Sequence, residues 1–103
     1  MAKLTLKVDP TFPAIVDIPK AGSEPVQIRF DFKHRTKDEL NEFTKTRADK
    51  TDVEYIMEMA TGWDLNDEFN AENINSVCQN YIASPLAIYM KYVDELVKAK
   101  AKN

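Results

Sequence analysis

Little in this sequence is equipped for covalent chemistry. It has one cysteine, Cys78, which cannot close an internal disulfide, so nothing demands an oxidising compartment. It has one histidine, His34, inside Lys33-His34-Arg35, read here as a linker residue between a strand and a helix. A nucleophile needs an activating base, and a zinc site needs more than one His and one Cys. Only Gly22 and Gly62 supply glycine, so there is no glycine-rich loop to cradle a phosphate. No apolar run approaches the roughly 20 residues of a membrane span. Met1 to Thr5 carries one charge and then alternates, without the apolar core of a signal peptide, so the expected location is the cytoplasm of the producing cell. Neither sign of charge dominates: 14 Lys and Arg face 17 Asp and Glu, mixed along the chain, for a net charge of -3. Broad nucleic-acid binding usually needs a basic face, and this balance argues against one.

What is present suits a folded interaction module. The 103 residues are 44% hydrophobic and 30% charged, as expected for one domain over 1–103. The pattern changes near Arg35. Before it, the period is two. Leu4, Leu6 and Val8 alternate with polar residues and read as a strand, until Asp9-Pro10 and Phe12-Pro13 break the run. Ala14–Ile18 is a second short strand. Lys20 to Pro25 is a loop, and Val26, Ile28, Phe30 and Phe32 mark the cleanest strand. The spacing predicts antiparallel pairing of the last two. Residues 1–33 are therefore strand-rich: a small antiparallel sheet of two to three strands that must pack on something to be stable.

Residues 36–102 are helical in period. Thr36 with Glu39, and Thr51 with Glu54, have capping-box spacing, in which hydroxyl and carboxylate satisfy first-turn amides. Leu40 and Phe43 mark the buried stripe of the first helix; Val53, Ile56, Met57 and Ala60 mark that of the second. Gly62 suits a left-handed helix end. Asn70 is the expected cap of a third helix, with Phe69 and Ile74 at the spacing of a hydrophobic staple. Ile74, Val77, Cys78 and Tyr81 share its inner face. Ser84-Pro85 reads as cap and first position of a fourth helix, whose seam is Leu86, Tyr89, Met90, Val93, Leu96 and Val97. The last lysines then sit near its negative end. The fold class is α+β: the sheet packed on about four C-terminal helices.

The stretch "TGWDLNDEFNAENINSVCQNYI" holds the one Trp and the one Cys. Asp64, Asn66 and Glu68 suggest a calcium loop, but the sixth position is Phe69 where glycine is needed and the twelfth is Asn75 where glutamate is needed. An acidic connector beside a helix start is the better reading. Trp63, Phe69 and Ile74 are structural anchors of that joint. Cys78 lies on an apolar stripe and reads as an inert thiol. No catalytic, metal or cofactor constellation emerges. In the fourth helix, Ile88 and Tyr92 lie off the seam. If exposed, they form with Met90 a patch for partner binding or self-association.

Three segments together, "VQIRFDFKHRTKDEL", "GWDLNDEFNAENINSVCQNY" and "AIYMKYVDELVKAKAKN", resemble the tail assembly chaperone family of long-tailed bacteriophages. Phe30, Lys33, His34, Arg35, Thr36, Gly62, Trp63, Phe69, Tyr81, Tyr92 and Leu96 carry the resemblance, which spans about Val26 to Lys98. It implies a protein without catalytic residues or cofactor. Such a protein coats the tape measure protein, keeps it soluble and helps recruit the tail tube protein. It works in the host cell cytoplasm and is absent from the mature virion. The alternative left open by the residues is a small phage or bacterial regulator or adaptor that binds one host protein.

Members of the resembled family often come in two lengths, the longer made by programmed frameshifting. Ala101-Lys102-Asn103 permits the heptamer A AAA AAC, on which a ribosome can slip back one base. The plain reading of the same residues is a basic helix end.

Overall fold

The computed structural model describes residues 4–98. Two long strands, β1 (Thr11–Ile18) and β2 (Val26–Lys33), form an antiparallel hairpin in which Phe12 faces Phe32, Ala14 faces Phe30 and Val16 faces Ile28. The alternation read for β2 is realised at Ile28, Phe30 and Phe32, which are buried, while Val26 at the strand's start is exposed; on β1, Ala14, Val16 and Ile18 are buried and Ile15 faces out. The connecting loop tightens where the Ser23 amide donates to the Lys20 carbonyl at 3.2 Å. Gly22, at φ +72°, occupies the left-handed position that this turn requires.

The run Leu4, Leu6, Val8 is not a strand. All three are exposed and unpaired with the sheet. The register explains why. Thr11 faces Lys33, and the His34 amide donates to the Pro10 carbonyl at 2.8 Å as the last step of the ladder. Continued pairing would set Val8 against Thr36 and Leu6 against Asp38, residues already committed to the start of a helix.

That helix, α1 (Lys37–Lys45), begins with the expected capping box: Thr36 Oγ1 accepts from the Glu39 amide, and Glu39 accepts from the Thr36 amide. A 3₁₀ turn (Arg47–Asp49) leads to α2 (Asp52–Met59), capped the same way by Thr51 and Glu54. Leu40 and Phe43 of α1 are buried as expected. On α2 the inner face is rotated: Tyr55, Ile56 and Met59 are buried, while Met57 is exposed. Tyr55 wins the interior because its ring stacks flat on Phe43, with centroids 4.3 Å apart.

Gly62 does not end α2 in a left-handed turn; its backbone is extended. The chain passes from Ala60 straight into a third strand, β3 (Ala60–Trp63), on the open side of β2. Phe32 faces Ala60 while Asp31 faces Gly62, so Thr61 is an extra bulge residue, its hydroxyl 3.3 Å from the Asp31 carbonyl. Strand pairing, not a glycine cap, stops the helix. Asn70 caps α3 (Ala71–Asn80) as expected, accepting from the Asn73 amide at 2.9 Å. Helix α4 (Ser84–Val97) starts one residue earlier than the sequence suggests: Ala83 is the cap, and Ser84 is buried inside the first turn. The α+β architecture is as read: among the described residues, a three-stranded antiparallel sheet, order β1-β2-β3, with four α-helices. Its inner side chains, such as Phe30, Phe32, Ile56 and Ile74, are fully buried and each contributes about 1.5–3 kcal/mol. Of the terminal lysines, Lys98 caps the end of α4 and pairs with Asp94 at 3.3 Å, while Lys100 and Ala101-Lys102-Asn103 lie outside the described residues.

Candidate functional site

Helix α4 packs against β1, α2 and α3 and is apolar on two sides. Ser84, Ile88 and Tyr92, spaced four apart, are fully buried. This corrects the expectation that Ile88 and Tyr92 stand outside the core. Tyr92 is fixed there by its hydroxyl, which donates to the Lys33 carbonyl at 2.7 Å and accepts from Arg35 Nη1 at 2.9 Å. Its ring lies against Phe12, Phe32 and Phe43. Burial pushes the Tyr92 hydroxyl pKa up, against the opposing pull of Arg35.

The other side of α4 faces out. Leu86, Met90 and Val97 are 62%, 55% and 58% exposed, and half-buried Val93 lies between them. Their positions follow steps of four, three and four residues, the spacing of a helix seam that packs on another helix. At 1.5 Å per residue the seam runs about 17 Å. Exposed Ile82 lies just before the helix. The sequence showed both stripes but assigned them the wrong way round. In a helix apolar on two sides the helical period does not say which side enters the core; long-range hydrogen bonds such as those of Tyr92 hold the one that does. Met90 alone of the expected Ile88, Tyr92, Met90 patch is at the surface.

At the far end of the same seam, Val97 and Leu96 form one wall of a recess of about 600 Å³; residues between His34 and Asn41, among them Arg35, Thr36, Lys37 and Leu40, supply the rest. The Arg35 guanidinium lies 4.1 Å above the Phe43 ring centre and also donates to the Glu58 carbonyl at 2.8 Å. It thus joins the end of β2 to α1, α2 and α4.

The tryptophan joint is built differently. Trp63 is half-buried, edge-on to Phe30 at 6.0 Å and to Phe69 at 5.1 Å. Its indole N–H donates to the Asp67 carbonyl at 2.8 Å, closing the connector on itself. Ile74 is buried beneath, and half-buried Phe69 packs on the core. Asp64 is engaged in the sheet: its amide donates to the Arg29 carbonyl, and its carboxylate accepts from the Arg29 amide, both at 3.0 Å. Among the described residues no group of acidic, His or Cys side chains could hold a metal ion, and no helix is long and apolar enough to cross a membrane. Burial first, then Asp52, raises the Cys78 thiol pKa, the direction opposite to activation.

A family model described as phage tail assembly chaperone matches residues 1–103. No curated protein and no solved structure matches the chain. The match spans the whole sequence, and the chain belongs to the phage tail assembly chaperone family.

Proposed function

We propose that this tail assembly chaperone is a non-enzymatic protein that covers apolar helical surface of the tape measure protein with the outer seam of α4. The observation that carries the reading is the outward series of exposed Leu86, Met90 and Val97 with half-buried Val93, on a helix whose opposite side is already spent on the core. Helix surfaces meet through such spacing, and Met adapts to irregular partners.

The size of the seam fits many weak contacts better than one strong one. Four side chains on about three helical turns bury a few hundred Å², well below the roughly 1,200 Å² of a stable interface. Copies arrayed along one long rod, touching each other as well, gain by avidity what each lacks in affinity. In this reading the chaperone acts in the host cytoplasm and leaves before the virion matures. A longer product, made by slippage near Lys102, recruits the tail tube protein.

Co-expression tests the reading. The tape measure protein of the same phage stays soluble with the native chaperone and precipitates with a Leu86→Glu/Met90→Glu chaperone. A tape measure protein kept equally soluble by the charged variant contradicts it.

A further inference from the structure

We propose that residues 4–8 of one copy add as a strand to the open edge of β1 in a second copy, and that the exchange is reciprocal. It supplies the contact between copies invoked above and does not depend on what α4 binds.

Leu4 and Leu6 are 83% and 98% exposed, and Val8 is 52% exposed. These side chains are in phase with the sheet. Leu4, Leu6, Val8, Phe12, Ala14, Val16 and Ile18 all stand at even positions, so segment and strand share one apolar face. The segment therefore has the pattern of β1 prolonged past the end of β2. Two prolines favour a straight continuation, because the residue before a proline is held to extended backbone, and Asp9 and Phe12 both have that place.

The edge is open and of the right kind. The His34 amide donates to the Pro10 carbonyl, which fixes the phase of the ladder: even residues of β1 exchange hydrogen bonds with β2, and odd ones point away. Ile15 and Asp17 thus direct amide and carbonyl outward, and among the described residues no backbone group meets them. Pro13 is also odd, and its missing donor falls where an edge strand tolerates it. The other edge, β3, is a poor template, with four residues and the bulge at Thr61. Beside the β1 edge, Pro13, Ala14 and Ile15 border a recess of about 380 Å³ shared with Lys91 and Glu95 of α4.

Phase and donors select the register. With the strands antiparallel, Lys7 opposite Ile15 and Thr5 opposite Asp17 engage both free amides. Val8 then lies beside Ala14, at the recess, and Leu6 beside Val16. The two-fold axis falls on Thr11, so the second copy returns the same pairs. Made twice, the contact moves toward the roughly 1,200 Å² of a stable interface.

Other occupants fit less well. For the segment to fold back on its own β1, the chain must reverse at Asp9-Pro10. Two-residue hairpin turns need a positive φ there, which proline cannot adopt and which no described residue except Gly22 has. Pairing β1 directly on β1 gives a shorter ladder with Pro13 inside it and leaves Leu4 and Leu6 in water. A strand from another protein leaves them in water as well.

The test is the oligomeric state of the full chain by analytical ultracentrifugation over a wide concentration range, with amide exchange read at Ile15 and Asp17. The native chain should form a dimer in which both amides are protected. Leu6→Glu should weaken the dimer about tenfold or more and expose both amides, with its denaturation midpoint at low concentration unchanged. Met90→Glu should leave the dimer intact. A chain with Lys7→Cys, Ile15→Cys and Cys78→Ser should oxidise to a covalent dimer, since facing residues of such a pair lie at disulfide distance. An internal disulfide in a monomer would show the segment folding back on itself and overturn the inference. So would a dimer split by Met90→Glu and untouched by Leu6→Glu. A chain that stays monomeric, with Ile15 and Asp17 protected only when the tape measure protein is added, would give the edge to that partner. Tape measure binding by the Leu6→Glu monomer would leave the α4 reading standing in each case.

Discussion

Arg35 and Tyr92 are 57 residues apart, yet the guanidinium donates to the phenol oxygen at 2.9 Å, and the same phenol donates to the Lys33 carbonyl at 2.7 Å. One hydroxyl thus ties α4 to the last residue of β2 and to the residue that begins the turn into α1. Tyr92→Phe leaves a half-buried guanidinium and a carbonyl short of a partner. It should destabilise by about 1–3 kcal/mol in chemical denaturation. The control is Tyr55→Phe. The Tyr55 hydroxyl lies beside Tyr89 with no hydrogen bond of normal geometry, so losing it should be neutral or mildly stabilising. Equal losses from both substitutions would remove the special role given to Tyr92.

Alkali should unfold this protein from within. Burial, aided by Tyr89, pushes the Tyr55 pKa up to about 12, and burial raises that of Tyr92 as well. The folded state therefore holds these protons more tightly than the unfolded chain. The resulting stability is complete below the ordinary tyrosine pKa near 10. For Tyr55 it is lost between there and about 12, at up to about 1.4 kcal/mol per pH unit, and the contribution of Tyr92 is lost as its own raised pKa is passed. Denaturation midpoints measured from pH 8 to 11.5 should be flat at first and then fall. Tyr55→Phe should make the fall shallower, and an unchanged slope would contradict the assignment.

Trp63 is half-buried, so Trp63→Ala should cost about 2–3 kcal/mol, less than the roughly 3–5 kcal/mol of a fully buried aromatic. Part of the loss comes from freeing the Asp64–Phe69 connector, whose Asp67 carbonyl the indole holds. Hydrogen exchange in that connector should rise. Unchanged stability and exchange would show that the indole serves a partner and not the joint.

The parts of the fold written in local chemistry were legible in the sequence. Thr36 with Glu39 and Thr51 with Glu54 form both capping boxes, because such a box depends only on residues three apart. The β1–β2 hairpin follows from two alternating runs and a short loop. The failures share one cause: distant partners decided them. Thr61-Gly62-Trp63 looks like a helix end until β2 is there to pair with it. Leu4, Leu6 and Val8 look like a strand until α1 takes the residues they would face. On α4, Ile88 and Leu86 are equally apolar. Which one enters the core is decided by Tyr92 reaching Lys33 and Arg35, a contact no helical period encodes.

The central claim is that one side of α4 holds the fold and the other side holds the partner. The affinity of Leu86→Glu/Met90→Glu for the tape measure protein, measured alongside its circular dichroism and denaturation midpoint, tests it most directly. Both side chains are more than half exposed, so the account predicts a native spectrum, a midpoint close to the native one and binding weakened at least a hundredfold. Native affinity in a well-folded double variant would contradict it.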